Sequence, residues 1–355
     1  MNPNPRIRVG VLGATGSVGQ KFVERLADHP WFELTALAAS ARSAGQRYGD
    51  VVAWRGASPL DAAVAERVIE PCEPGLDCSI VFSALDASVA GAVETAFAES
   101  GYVVISNAKS HRMAPDVPLV IPEVNADHVA LVERQRFGKG DGPRAHQRGA
   151  LVTNPNCAVV GLAIALKPLV DVFGVDAVSV VTLQALSGAG YPGVPSLDAI
   201  DNVVPFIGGE EDKVETEPQK ILGRIGADGV VPHPTRVSAT CTRVPVTDGH
   251  LACVSVKLDR LATAEEIIES WETYRAPEPV ADLPSAPARL IEYSREDAAP
   301  QPRLHRDTAG GMAVTIGRLR PCPTLDWKFV LLVHNTVRGA AGAAILNAEL
   351  MTTRE

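Results

Sequence analysis

Apolar residues along this chain come in short, solid runs separated by longer stretches of helical period. Ile7-Arg8-Val9-Gly10-Val11-Leu12, Phe32 to Ala38, Cys78 to Ala84 and Tyr102 to Ser106 have the pattern of strands covered on both faces. A Gly-rich turn and a helix through Leu26 follow the first run, and a helix spans about Ser88 to Glu99 before the last. Strands alternating with helices predict an α/β fold with a doubly wound parallel sheet.

The rhythm breaks at Arg134 to Arg148, a polar, Gly-rich and basic stretch with the composition of a solvated surface loop. Ala150-Leu151-Val152 resumes as a strand, leading through Asn154-Pro155-Asn156-Cys157 into an apolar helix. Ala177 to Leu183, Leu251 to Leu258 and Val330 to Val333 then read as strands, and Thr336 to Met351 as an Ala-rich helix. That mixture predicts an α+β second domain. With 355 residues there is room for both. We expect residues 1–156 to form the first domain, completed by a returning helix over 336–355, and residues 157–335 to form the second.

Composition narrows the classes of function. Hydrophobic residues make up 46% and charged residues 21%, an ordinary globular balance. A net charge of −9 argues against a general nucleic-acid binder, which needs a basic surface to displace counterions. It leaves room for a small anionic substrate held by local Arg and Lys residues. The N-terminal residues lack the pattern of a secretion signal and the apolar stretch Ala158 to Ala165 is too short to span a bilayer, so neither a secretion leader nor a membrane partner is expected. The six cysteines lack metal-ligand spacing and are sparse for a disulfide scaffold, which fits a reducing cytoplasm and no bound metal.

Two segments carry candidate chemistry. Gly10, Gly13, Gly16 and Gly19 lie at the first strand-to-helix junction, where glycines let the backbone approach a pyrophosphate held at a helix N-terminus. At the end of the second strand an NAD site carries a carboxylate for the ribose 2′-hydroxyl. Here that neighbourhood reads Ala39-Ser40-Ala41-Arg42-Ser43, an Arg and two hydroxyls suited to a 2′-phosphate, so NADP(H) is the expected cofactor.

Cys157 is the second candidate. The preceding Asn-Pro-Asn turn places it at a helix N-terminus, where the helix dipole favours the reactive thiolate. A buried core role suits Cys78 and Cys253 instead, both within apolar strand-like runs. A thiolate nucleophile needs a proton-handling partner and an anion-holding group. His250 follows the Gly249 turn with Arg243 seven residues upstream, and supplies both types.

These segments together resemble the aspartate-semialdehyde dehydrogenase family, in its archaeal and fungal branch. The likeness runs nearly end to end: Gly10 to Gly19, Ala39 to Ser43, Ser106-Asn107-Ala108 with His111-Arg112-Met113, Ile121 to Asn125, Asn154 to Cys157, Gln184 to Gly193, Gly209 to Lys213, Arg243 to Val246, and Gly249-His250. The resemblance implies a Rossmann-like first domain and a second domain serving catalysis and dimerisation, in a homodimer or homotetramer. It implies that Cys157 is the nucleophile, His250 the general acid/base and Gln184 the group that orients the substrate. Arg243 would hold the substrate carboxylate and Glu210 its ammonium; Arg112, Asn156 and Lys213 would bind phosphate. NADP would be held by Gly13, Thr15, Gly16, Ser17, Val18, Ser40, Arg42, Ser43, Ser83, Ser187, Gly188 and Asn335. The implied reaction is reversible, phosphate-dependent reduction of β-aspartyl phosphate to aspartate semialdehyde through a Cys157 thioester, on the route to Lys, Thr and Met.

Two positions depart from the family pattern. Ala158 follows the nucleophile where Ser or Thr is more usual, and Thr242 replaces a frequent Asn before Arg243. They leave open a changed acyl substrate, as in a related malonyl-CoA reductase. Glu210 weighs against that rival, because malonyl carries no ammonium. A thiol hydrolase or acyltransferase would have no use for the glycine junction or Arg42, and a non-catalytic relative none for Cys157 with Gln184, Arg243 and His250.

Overall fold

The computed structural model describes residues 6–138 and 148–353, so most of the basic Arg134–Arg148 stretch lies outside the described residues. The chain divides into two compact units. The first comprises Met1–Val120, Asp127–Asn154 and Ala344–Glu355; the second comprises Ile121–Ala126 and Pro155–Ala343. Helices of ten residues or more are numbered α1 to α6.

In the first unit, β1 (Ile7–Leu12), α1 (Ser17–Leu26), β2 (Phe32–Ala39), β3 (Glu70–Pro71), β4 (Ile80–Ser83), α2 (Ala87–Glu99), β5 (Val103–Ser106) and β6 (Ala150–Thr153) follow in chain order. The strands form one parallel sheet in the order β3-β2-β1-β4-β5-β6. Every residue of β4, β5 and β6 is buried, which is why these segments read as solid apolar runs. Phe22 of α1 stacks on Phe82 of β4 with ring centroids 4.9 Å apart. Asp86 caps α2 by accepting from the Ser88 amide at 2.9 Å. The strand order reverses between β1 and β4, and ligands of such sheets bind at the carboxyl ends of the strands beside that reversal. The Gly13–Gly16 turn and Ser83 both lie there, with Leu12 and Ser83 in register.

The second unit is built around α3 (Cys157–Phe173), whose apolar residues are almost all buried. Gly174 ends it with φ of 72°; a side chain there would meet the Asp259 carboxylate. After β7 (Val175–Gln184) come α4 (Glu210–Ile221) and a small antiparallel pair, β8 (Arg224–Gly226) with β9 (Gly229–Val231). Then follow β10 (Arg236–Arg243), β11 (His250–Leu258), α5 (Ala264–Thr273), β12 (Ile291–Ser294), β13 (Val314–Pro321) and β14 (Trp327–Val333). The sheet order is β10-β7-β11-β14-β13-β12, with β10 and β7 parallel and β11 antiparallel to both β7 and β14. A Thr263–Glu266 capping box opens α5, and Trp271 donates to the Ala165 carbonyl of α3 at 2.9 Å. Among the described residues no helix is long and apolar enough to cross a membrane.

Three features depart from the sequence reading. Cys253 is exposed, not a core cysteine: along β11 alternate residues Ala252, Val254 and Val256 turn inward, which sends Cys253 to the opposite face. The terminal helix does not run unbroken from Thr336. Val337–Ala341 forms a π-turn, and the α-helical part, α6, is Gly342–Thr352. Strands β3, β8, β9, β10, β12 and β13 were not expected: four of them are only two to four residues long, β10 alternates polar and small residues, and β13 carries charges at its far end.

Candidate active site

Cys157 is the first residue of α3, and Asn156 is its cap. The Asn156 side-chain oxygen accepts from the Ala158 amide at 2.9 Å and the Val159 amide at 3.4 Å. The same residue donates through Nδ2 to Glu210 Oε1 at 2.7 Å and through its backbone amide to Glu217 Oε2 at 2.6 Å. The nucleophile candidate is therefore anchored to α4 through its neighbour. On its other side Gly339 of the π-turn packs directly against it: a Cβ built at Gly339 would lie 2.7 Å from the Cys157 Cβ.

His250, the first residue of β11, is buried, with Nε2 3.2 Å from Cys157 Sγ. Its Nδ1 accepts from the Ala185 amide at 3.1 Å. Burial is the main cause that pushes its pKa down to about 3, assisted by Arg243 and His334 and opposed by Glu210. Arg243 ends β10, buried, and donates through Nη1 to the Ala185 carbonyl at 2.7 Å. Burial lowers the Arg243 pKa, against the favourable charges of Cys157 and Glu210.

Glu210 opens α4, where three carboxylates occupy the first turn. Its carboxylate accepts from Lys213 Nζ at 2.7 Å, from Asn156, and from Gln184 Nε2 at 3.3 Å. Burial alone would raise its pKa; Lys213, Asn156 and Gln184 together hold it below the usual carboxylate range. Gln184, at the end of β7, also donates to Thr182 Oγ1 at 3.3 Å.

Asn335 joins the expected Ser187 to the Gly249 turn that leads into His250. Its side chain donates to Ser187 Oγ and accepts from the Gly249 amide, both at 2.8 Å. Gly188 is required where it stands: a Cβ there would lie 2.7 Å from Arg243 Nη1 and 3.0 Å from His250 Cε1. Thus Cys157, His250, Gln184, Arg243, Glu210, Asn156, Lys213, Ser187, Gly188 and Asn335 all belong to the second unit.

The remaining expected residues belong to the first unit. Gly13 has φ of 76°, and a Cβ there would lie 2.7 Å from the Ala84 carbonyl oxygen. A Cβ at Gly19 would press on the Ala14 backbone at 2.8 Å. Gly16 caps α1 in extended conformation with no side chain on the first amides, so the helix N-terminus at Ser17 and Val18 is open to an anion. Thr15 belongs to the same turn. Ser40 and Arg42 are exposed in the turn that ends β2, where the Ser43 amide donates back to the Ser40 carbonyl and no carboxylate intervenes. These features fit a dinucleotide with a phosphorylated ribose. Ser83, by contrast, is fully buried, and its carbonyl accepts from the Asn107 amide at 3.1 Å and side chain at 3.3 Å. Arg112 is buried after β5 and donates through Nη2 to the Asn107 carbonyl at 2.7 Å. Among the described residues no group of His, Cys, Asp and Glu is placed to hold a metal.

Comparison with known proteins meets this arrangement directly. The family model described as semialdehyde dehydrogenase, NAD binding domain, matches residues 8–132, and that described as semialdehyde dehydrogenase, dimerisation domain, matches residues 166–338. The aspartate-semialdehyde dehydrogenase of Archaeoglobus fulgidus is 50% identical over 98% of this chain and 98% of its own length. That of Cryptococcus neoformans is 48% identical over 99% and 98%. The chain belongs to the aspartate-semialdehyde dehydrogenase family. Among solved structures, the Candida albicans aspartate-semialdehyde dehydrogenase with NADP superimposes with a TM-score of 0.89 at 42% identity, covering 98% of this chain and 99% of that one.

Within the family frame, the two unusual positions have plain local roles. Ala158 is buried in the first turn of α3 with its amide given to Asn156. Thr242 donates to the Thr182 carbonyl at 2.7 Å, while Arg243 is fixed by Ala185 and by backbone pairing with Val204. Sequence reasoning passed over Ala185, Gly339 and Glu217. Two act through backbone or sheer smallness and leave no chemical signature. Glu217 is one acid among many in a polar helix, and only its burial marks it.

Proposed function

We propose that this chain interconverts β-aspartyl phosphate and aspartate semialdehyde, with NADP(H) and phosphate, through a thioester on Cys157. One observation carries the reading: Sγ stands at the N-terminus of α3, 3.2 Å from His250 Nε2, with the Arg243 guanidinium close enough to feel its charge. The sequence identity to aspartate-semialdehyde dehydrogenases over nearly the whole chain supports the substrate class.

The roles follow from the donors and acceptors available. The Cys157 sulfur forms a C–S bond to the acyl carbon as the C–O bond to phosphate breaks, and phosphate leaves with the electron pair. Arg243 uses one nitrogen on Ala185 and keeps further donors for the substrate carboxylate. Glu210 takes the substrate ammonium while Lys213 exchanges Glu210 for phosphate, with Asn156 beside it. Gln184 orients the acyl group from the end of β7. In the first unit the Gly13–Val18 turn holds the pyrophosphate and Ser40, Arg42 and Ser43 the 2′-phosphate. Ser187, Gly188 and Asn335 line the nicotinamide side of the second unit. The bound nicotinamide supplies or takes the hydride.

A homodimer or homotetramer assembled through the second unit agrees with the dimerisation-domain match. The sheet face carrying exposed Val181 and Cys253 is one that a second copy would cover. We place the enzyme in the cytoplasm. Absorbance of reduced nicotinamide, followed with aspartate semialdehyde, phosphate and either NADP or NAD, tests the reading. Phosphate-dependent reduction of NADP is expected. Its absence, or better turnover of malonyl-CoA with NADPH, would overturn it; Glu210 would have no ammonium to hold on malonyl.

A further inference from the structure

Glu94 is a carboxyl group in a stripe that should be apolar. Ala90, Glu94, Phe97 and Ala98 are the buried residues of α2, spaced at helical period, and Glu94 is fully sealed from solvent. Burying such a group costs free energy unless polar partners receive it. Its partners come from the ends of β4 and β5 and from the loop that follows β5. Glu94 Oε1 accepts from the Ser106 hydroxyl at 2.7 Å, and the same hydroxyl oxygen accepts from the Ala108 amide at 3.0 Å. Glu94 Oε2 makes no hydrogen bond among the described residues and lies 3.8 Å from His111 Nε2. The His111 ring is held there by the Gly91 carbonyl, 3.2 Å from Nε2 and nearly one turn before Glu94 on α2. A carbonyl only accepts, so Nε2 carries a proton and is attracted to the carboxyl beside it.

The loop fixed in this way runs from Ser106 to Arg112. Asn107 Oδ1 accepts from Asn154 Nδ2 at 2.8 Å, which pins its start a second time. The Asn107 carbonyl accepts from Arg112 Nη2 at 2.7 Å, so the guanidinium folds back onto the anchored end of its own loop. Burial raises the Glu94 pKa; Ser83, Ser106, His111 and Arg112 oppose that shift without overcoming it. The carboxyl is thus tied by hydrogen bond or by charge to both ends of the segment that carries Arg112.

We propose that Glu94 is a positioning residue for phosphate: through Ser106 and His111 it fixes the 106–112 loop and holds the Arg112 guanidinium in the pose that receives the phosphoryl group. The proposal rests on the phosphate role given to Arg112 in the reaction proposed above. An arginine fork binds phosphate best when it is already oriented, because less side-chain freedom is then lost on binding. Glu94 itself is sealed away from substrate and takes no part in bond making. Phosphate affinity, not the rate of the chemical step, depends on it.

Steady-state oxidation of aspartate semialdehyde by the full-length protein, with phosphate varied, tests this. Glu94→Met keeps the length of the side chain and removes the acceptor for Ser106. It should raise the phosphate KM about 10-fold or more, while kcat at saturating phosphate and the NADP KM stay within about 2-fold of the parent. A general loosening of the fold would lower kcat and raise every KM together; that result, or an unchanged phosphate KM, would overturn the proposal. Ser106→Ala removes the same bond with a smaller change and should reproduce the phosphate defect. An unchanged phosphate KM there overturns the proposal whether or not Glu94→Met folds. Arg112→Lys separates the proposal from the reading beneath it, and should raise the phosphate KM at least as far as Glu94→Met. If Arg112→Lys leaves that KM unchanged, Arg112 does not hold phosphate and both ideas fall. A raised KM in Arg112→Lys beside parent values in Glu94→Met would overturn the positioning role alone.

Discussion

Gly339 lies so close to Cys157 that the wall of the π-turn leaves no room for even a methyl group beside the sulfur-bearing residue. A Cβ at Gly339 would lie 3.0 Å from the Cys157 Cα as well. Gly339→Ala should therefore displace Cys157 while leaving His250 in place. A shift on the order of 1 Å at reacting atoms costs about 100-fold, so kcat should fall by roughly that factor, and the overpacked wall should also cost about 1 to 3 kcal/mol of stability. Steady-state kinetics beside a melting curve would check this; wild-type kcat in the variant would mean the wall yields freely.

The π-turn is itself anchored by a buried ion pair. Arg338 donates through two nitrogens to the Glu123 carboxylate, at 2.7 and 2.6 Å, with both side chains essentially sealed from solvent. Breaking such a pair strands a charge, so Glu123→Gln or Arg338→Met should each cost about 3 to 5 kcal/mol in denaturant unfolding. The double replacement by apolar residues should recover part of that loss. Additive losses would show that the two residues act separately.

Asn156 combines a helix cap with a link to Glu210. Asn156→Ala should cost about 1 to 2 kcal/mol through the cap alone. Asn156→Asp keeps a good cap but sets a second carboxylate against Glu210, so it should lower stability most at neutral pH and recover as acid protonates the pair. A melting-temperature series across pH separates the two; equal profiles would contradict the Glu210 link.

The depressed pKa of Glu210 fixes the sign of its pH effect. Its contribution to stability is present in full above the unfolded carboxyl pKa, and is lost as pH falls through the lower folded value. Parent and Glu210→Gln should therefore differ in stability at neutral pH and converge below about pH 4. Convergence at a higher pH would mean that Lys213, Asn156 and Gln184 do not hold the charge.

Much of this molecule was legible as pattern. The buried runs of β1, β4 and β5 announce the parallel sheet because both faces are covered, and the Asn-Pro-Asn lead-in marks the start of α3 because capping is local chemistry. Cys253 was misread because an apolar run does not say which face each residue takes. Strand β10 was missed because its exposed, alternating polar positions carry little hydrophobic signal. At the site, residue types with obvious chemistry were picked out, and those acting by position were not. Ala185 serves through an amide, and Gly339 through the absence of a side chain.

The C–S bond formed at Cys157 is the central step of the mechanism, and an adduct measured by mass tests it most directly. Mixed with aspartate semialdehyde and NADP but no phosphate, the protein should reduce about one equivalent of NADP per chain and then stop, because the thioester has no acceptor. Peptide mapping after an acid quench should place the aspartyl mass on Cys157, and added phosphate should release it. Continued turnover without phosphate, or the same burst in Cys157→Ser, would contradict the covalent route.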